Sequence, residues 1–287
     1  MRDITRDNIT AAVIASFAGA PDERFKFIVS RLVSHLHDFA RETDLTHDEW
    51  HAGIDFLYHA GQISNEGRNE FILSSDVLGL SSLVDLLQTR AGATDHSALG
   101  PFHAQGSMRL PFGGDLVRKN TGEPMLVCGR VLNDAGAPVG GATLDFWQAT
   151  AGGLYWQQDP AQDPHNLRCT MATGDDGRYA FTTVRPGPYT VPYDGPVGDL
   201  LRAGGRHAWR PAHFHFIVSA AGHRPLTTEL FCADDEYLEQ DAVFSVRKGL
   251  VLEMKKTGTA DDARGLERKL QPPFYRIDFD FRLKRDV

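Results

Sequence analysis

The sequence predicts an α+β fold, with an N-terminal helical lobe over residues 1–95 and an antiparallel β-sandwich over residues 96–287. Three observations carry this. Apolar residues in the first part recur at three- and four-residue steps. After "ATDHSALGPF" short apolar runs are bounded by Gly, Pro, Asp and Asn. The helical pattern precedes the strand pattern, the order of a fold whose helices are segregated from its sheets.

Within the lobe, "DERFKFIVSRLVSHLHDFAR" aligns Phe25, Ile28, Leu32, Leu36 and Phe39 along one face, with Asp22 as N-cap. In "THDEW", Thr46 and Glu49 stand at capping-box spacing ahead of Trp50, Ile54 and Leu57. A third helix is expected from about Asn69 to Thr89. His35, His37, His47, His51 and His59 fall in these helices at irregular spacing, without an i, i+4 pair and carboxylate base, and are expected to be surface or packing residues. Strands are expected at "MLVCGRVL", "ATLDFWQA", "RYAFTTV" and "HFHFIVS", separated by turn sequences such as "DAGAP", "GDDG" and "RPGP". Tyr179, Phe181 and Thr183 alternate as on a half-buried strand.

A net charge of −8 argues against a nucleic-acid partner. No run of 18 apolar residues predicts a membrane span. The opening "MRDITRDNIT" lacks the apolar core of a signal peptide, and Cys128, Cys169 and Cys232 are odd in number and far apart. Free thiols in a reducing cytoplasm are therefore expected.

The chemistry gathers in "WRPAHFHF", residues 209–216. On a strand, His213 and His215 share one face, about 7 Å apart along the backbone, and Phe214 and Phe216 share the other. Alone, this is equally two satisfied histidines on a sheet. Imidazole is nevertheless the commonest metal ligand. Tyr155 in "GGLYW" and Tyr189 in "PGPYTVPYDGP" lie in Gly/Pro-rich segments of the same region. A hard cation can deprotonate a phenol that otherwise titrates near pH 10. Two phenolates and two imidazoles would suit Fe(III); singly, each tyrosine is better explained by turn packing, and only the constellation carries the reading.

"RPAHFHF", "PYTVPYDGPVGDLL", "ATLDFWQATAGGLY", "GPF" at 100–102, "GRVLNDAGAPVGGA" at 129–142 and "LTTELF" at 226–231 resemble the intradiol ring-cleavage dioxygenases, the family of catechol and hydroxyquinol 1,2-dioxygenases. The resemblance covers nearly the whole chain. It implies Fe(III) bound by Tyr155, Tyr189, His213 and His215, with Arg210 and Tyr189 catalytic. It also implies a β-sandwich catalytic domain and a helical lobe through which two subunits dimerise; a lipid bound at that interface is compatible with it. "PYTVPYDGPVGDLL" and "DAVFSV" resemble the hydroxyquinol branch most closely, implying cleavage of benzene-1,2,4-triol by O2 to 3-hydroxymuconate, which tautomerises to maleylacetate. The implied substrate pocket comprises Leu73, Asp76, Ala98, Leu99, Gly100, Pro101, Val191, Pro192, Glu229 and Val243. Two positions depart from the family pattern: His103 replaces the usual tyrosine after "GPF", and Glu229 stands where Gln or His is common. Glu229 could pair with Arg210, and His103 is expected at the pocket rim or in packing.

Alternatives stay open at this point. Catechol or a chlorocatechol could be the substrate. "GRVLNDAGAPVGGATL" also resembles β-sandwich binding modules, which give no reason to gather two tyrosines, His-x-His and an arginine. A cupin-type Fe(II) or zinc site would need a carboxylate and a further histidine, for which Glu229 and His223 are candidates.

Overall fold

The computed structural model describes residues 3–65 and 68–286; positions 1, 2, 66, 67 and 287, which the two expected domains include, lie outside the described residues. The chain forms two compact units, Met1–Tyr58 and His59–Val287.

The first unit holds α1 (Ile9–Ser16), α2 (Glu23–Glu42) and the start of α3 (His47–Ile63). Asp22 caps α2, accepting from the backbone N–H groups of Arg24 and Phe25 at 2.8 and 3.1 Å. Thr46 N–H donates to Glu49 Oε2 at 2.9 Å and Glu49 N–H to Thr46 Oγ1 at 3.3 Å, a reciprocal capping box. The sequence pattern did not reveal α1. Its Thr10 hydroxyl sits 3.0 Å from His37 Nδ1 and 2.6 Å from Arg41, tying α1 to α2. The stripe of Phe25, Ile28, Leu32, Leu36 and Phe39 stays about half exposed.

In the second unit the single helix expected over 69–89 is two, α4 (Glu70–Val77) and α5 (Leu80–Gln88). Gly79 interrupts them with φ of 75°, a left-handed conformation glycine adopts without strain, and its N–H closes a turn onto the Asp76 carbonyl at 2.9 Å. The strands follow: β1 (Gly114–Asp115), β2 (Pro124–Asn133), β3 (Thr143–Gln148), β4 (Arg168–Ala172), β5 (Arg178–Val184), β6 (Tyr189–Thr190), β7 (Trp209–Arg210), β8 (His213–Ser219), β9 (Leu226–Cys232), β10 (Val251–Leu252), β11 (Lys255–Gly258), β12 (Phe274–Asp278) and β13 (Phe281–Leu283). A further unanticipated helix, α6 (Pro196–Ala203), lies between β6 and β7.

One sheet runs β1-β5-β2-β12-β11, with β13 also on β2; the other runs β10-β9-β8-β3-β4; β6 and β7 pair separately. The expected antiparallel pairing holds for β9-β8-β3-β4 but not throughout, because β12 and β13 both lie parallel to β2. Both strands come from the end of the chain, far from β2 in sequence, and parallel neighbours need such a long crossover because hairpin turns join only antiparallel strands. Side chains of both sheets meet in one apolar core, where Phe146 packs edge-on to Phe181 at 4.6 Å and Phe216 against Phe281 at 4.8 Å. Phe214, Phe216 and Val218 point into this core. By the strand alternation, His213 and His215 are on the opposite face of β8, and they are buried there too.

Candidate metal and substrate site

Strand register assembles the outer face of the five-stranded sheet. His215 on β8 lies directly opposite Trp147 on β3 and Glu229 on β9. The β6–β7 pairing sets Tyr189 opposite Arg210, three residues before β8 begins. Tyr155, in the turn after β3, brings its ring edge-on to Tyr189 at 5.1 Å and within 6.4 Å of His215. Tyr189 in turn lies 5.4 Å from His213. The two tyrosines, two histidines and arginine singled out in the sequence are therefore neighbours.

Arg210 is the hub. Its NH1 lies 2.8 Å from Glu229 Oε1, 3.2 Å from His213 Nε2 and 3.4 Å from the Tyr189 hydroxyl. Its Nε and NH2 donate to the two Asp241 oxygens at 3.0 and 3.3 Å, and NH2 also meets the Ser245 hydroxyl. The other Glu229 oxygen accepts from the Ser97 hydroxyl at 2.6 Å. All these side chains are buried, so the guanidinium is compensated by two carboxylates, as a buried charge requires. Burial opposes the charge on Arg210, but Asp241 and Glu229 raise its pKa well above normal. Burial likewise opposes ionisation of Glu229 and Asp241, yet Arg210 beside them holds both below the usual carboxylate range.

Burial has the upper hand at the histidines. It brings His213 down to about 4, with Arg210 adding to the effect, and His215 well below its ordinary value. Both are neutral imidazoles near pH 7, the form that binds metal. His213 Nδ1 sits 2.6 Å from the Pro211 carbonyl, which fixes a proton there and leaves a lone pair on Nε2. That Nε2 faces His215 Nε2 at 3.1 Å. Burial pushes the Tyr155 phenol well above its ordinary value and raises Tyr189.

Among the candidate substrate residues, Leu73, Asp76, Ala98, Val191 and Val243 are buried, Pro101 and Pro192 are half-buried, and Leu99 is exposed. Gly100 lies against His215; a Cβ there would stand 3.2 Å from His215 Cε1, at a φ of +70°. Burial pushes the Asp76 carboxyl up to about 6, while Arg210, Glu229 and Asp241 all act on it. His103 pairs with Asp145, Nε2 to Oδ2 at 2.9 Å, beside Trp147. Glu229 joins His213 and His215 in a group whose ligand atoms lie within 4.8 Å of one another, whereas His223 bridges to Arg285 outside it. The sequence reading missed Ser97, Asp241 and Ser245. The one signal for them was indirect: a buried arginine must find anions somewhere.

The donor set fits a hard trivalent cation. The Tyr155 hydroxyl is buried with no hydrogen-bond partner among the described residues, and two imidazole nitrogens converge beside it. An orphaned buried hydroxyl costs stability in the metal-free protein. A phenol that burial keeps protonated needs a strong positive charge to ionise.

Residues 100–285 match the family model described as Dioxygenase, and residues 22–96 match the one described as Catechol dioxygenase N terminus. The chain is 44% identical over 283 residues to the 6-chlorohydroxyquinol 1,2-dioxygenase of Cupriavidus pinatubonensis, covering 98% of each. It is 44% identical over 276 residues to the hydroxyquinol 1,2-dioxygenase of a Rhizobium species, covering 95% of this chain and 93% of the relative. The solved hydroxyquinol 1,2-dioxygenase of Pseudomonas putida superposes with a TM-score of 0.86 at 40% identity, covering 98% and 99% of the two chains.

Proposed function

The chain belongs to the intradiol ring-cleavage dioxygenases, and on that premise we propose that it opens the ring of hydroxyquinol, benzene-1,2,4-triol, between its adjacent hydroxyl-bearing carbons, both atoms of O2 entering the product. The names of its relatives support the substrate class. The observation that favours a triol over catechol is Asp76, a buried carboxylate on α4 that senses Arg210 and Glu229. It offers an acceptor that only a third hydroxyl uses.

Tyr155, Tyr189, His213 and His215 would hold Fe(III), which when bound supplies a Lewis acid that ionises phenols and activates a bound diol toward O2. The remaining work falls to the chain. Burial keeps both imidazoles neutral, and the Pro211 carbonyl fixes the tautomer of His213. Tyr189, which accepts from Arg210 NH1 at 3.4 Å, can as a phenolate take the proton of a substrate hydroxyl. Arg210, clamped by Asp241 and Glu229, presents fixed positive charge where negative charge builds on the ring. The test is to load the purified protein with iron and assay hydroxyquinol, catechol and chlorocatechols side by side. About one iron per chain, a red-brown phenolate-to-Fe(III) colour and preference for hydroxyquinol are expected. A colourless protein with full activity and stoichiometric zinc or Fe(II) would instead favour His213, His215 and Glu229 as ligands, the second set this cluster allows.

The proposed division of labour keeps the helical lobe, residues 1–95, for dimerisation and residues 96–287 for catalysis. Its support is the stripe on α2, where Phe25, Ile28, Leu32, Leu36 and Phe39 line one face and are each about half exposed, the kind of contiguous apolar surface a partner subunit covers. Sedimentation should give twice 31.7 kDa at micromolar concentration, and a monomer would break this reading.

A further inference from the structure

Four neighbouring strands each give one residue to a single row behind the site. Arg168 on β4 is opposite Trp147 on β3, Trp147 opposite His215 on β8, and His215 opposite Glu229 on β9. Directly opposed residues share a face, so the row reads cation, indole, imidazole, carboxylate. The Trp147 and His215 rings stack at 4.7 Å, only 4° from parallel. The Arg168 guanidinium lies 5.2 Å from the indole centroid.

The two histidines are held differently. His213 is anchored by its Nδ1 on the Pro211 carbonyl. Among the described residues His215 Nδ1 makes no hydrogen bond, its neighbouring oxygen being Glu229 Oε1 at 3.5 Å. The χ2 torsion of an imidazole is intrinsically broad, so something else must set the ring plane. Two flat surfaces are available: the Trp147 indole, and the Gly100 backbone, where a Cβ would crowd His215 Cε1 at 3.2 Å. The indole N–H makes no hydrogen bond among the described residues, so what Trp147 offers is its face.

Arg168 explains how the other wall stays in place. Although fully buried, it has no carboxylate within hydrogen-bond distance; Asp145 is 3.6 Å away. It donates instead to the Phe102 carbonyl at 3.2 Å, to the Ala104 carbonyl and to Ser107 Oγ at 3.1 Å. Those bonds hold the segment that begins at Gly100. Phe102 stacks on Tyr155 at 4.5 Å, so the same clamp reaches a second candidate ligand.

We propose that Trp147 and Arg168 are positioning residues for the metal centre: the indole fixes the plane of the His215 ring, and Arg168 holds the 100–107 segment so that Gly100 closes the other side of the slot. This rests on the reading of His215 as an iron ligand. The test compares Trp147→Leu, which keeps apolar bulk, with Trp147→Phe, which keeps a flat face. Two measurements are made on each: the His215 ring plane in crystals of the metal-free protein, and Fe(III) affinity by titration with ferric citrate, followed in the charge-transfer band. Trp147→Leu should turn the ring and weaken iron binding at least tenfold. Trp147→Phe should restore most of both, though the two variants lower the melting temperature of the metal-free protein alike. An unturned ring with undiminished affinity in Trp147→Leu would overturn the proposal, as would equal losses in the two variants. Should Trp147→Leu not fold, Arg168→Met takes the same two measurements: a turned His215 ring with weakened iron binding is expected, and an unturned ring with undiminished affinity would overturn the proposal. If the wild type takes up no Fe(III), the ferric reading fails, and the ring plane still decides whether Trp147 positions His215.

Discussion

On β8, Phe214, Phe216 and Val218 face the core between the sheets while His213 and His215 face outward, yet each is at most 2% exposed. Burial is common to both faces, and what burial does to them differs. Phe214, Phe216 and Val218 gain free energy from leaving water and need no partner. The two imidazoles lose access to protons, and the Tyr155 hydroxyl beside them is left without a hydrogen bond among the described residues. One face stores stability. The other spends part of it to keep ligand atoms neutral, converging and available.

That comparison breaks most visibly at the ligands. His215→Ala should abolish stoichiometric iron binding and with it turnover, measured as metal per chain after loading, while the metal-free protein loses less unfolding free energy than in Phe216→Ala, because the cavity cost is partly offset by removing a buried polar ring. Phe216→Ala, one residue away on the other face, should do the reverse. Deleting a fully buried phenyl costs about 3–5 kcal/mol, readable by urea unfolding. Iron per folded chain should stay at the wild-type value, and loss of iron without loss of stability would show that the two faces are not separable.

How far each face could be read in the sequence follows from the range of the forces involved. Alternation within β8 and the caps at Asp22 and Thr46 are local, and the pattern reveals them. Tyr155 and Tyr189 carry only a weak local signal, their Gly/Pro-rich segments, and it took the family motifs to mark them as ligands. The break at Gly79 was hidden because apolar residues resume at Leu80 on helical spacing. The partners of Arg210 lie across the fold, Asp241 being 31 residues away, and no periodicity encodes that distance. The Arg168–Trp147–His215–Glu229 row depends on the register of four strands, which is a tertiary property. Parallel pairing of β12 and β13 with β2 was illegible for the same reason.

Arg210→Lys sharpens the comparison within the polar face. Lysine presents a point charge and cannot reach Asp241, Glu229, Ser245 and Tyr189 together, as the planar fork does. Losing one preorganised charge stabiliser costs about 3 kcal/mol, roughly a hundredfold in kcat. The charge-transfer colour should persist, since arginine is not a ligand. Wild-type kcat in this variant would remove the guanidinium from the mechanism.

The smallest effect, and the one most specific to the substrate, belongs to Asp76. A hydrogen bond to a charged group contributes about 1.5–3 kcal/mol, so hydroxyquinol should exceed catechol by roughly ten- to a hundredfold in kcat/KM. Asp76→Ala should cost hydroxyquinol most of that margin and catechol little. Burial, with Glu229 and Asp241, raises the Asp76 pKa to about 6 against the opposing pull of Ser81 and Arg210. Above pH 6 the group is therefore a charged acceptor, and the preference for hydroxyquinol should shrink several-fold as pH falls through 6. Stability runs the other way. A carboxyl whose pKa is higher folded than unfolded destabilises the fold while ionised, and that penalty is relieved as pH drops from above 6 to below about 4. Asp76→Asn should accordingly be more stable than wild type at pH 8 and lose the advantage near pH 4, as thermal unfolding at the two pH values would reveal. Equal losses on catechol and hydroxyquinol in Asp76→Ala would break the hydroxyquinol assignment and leave the metal site untouched.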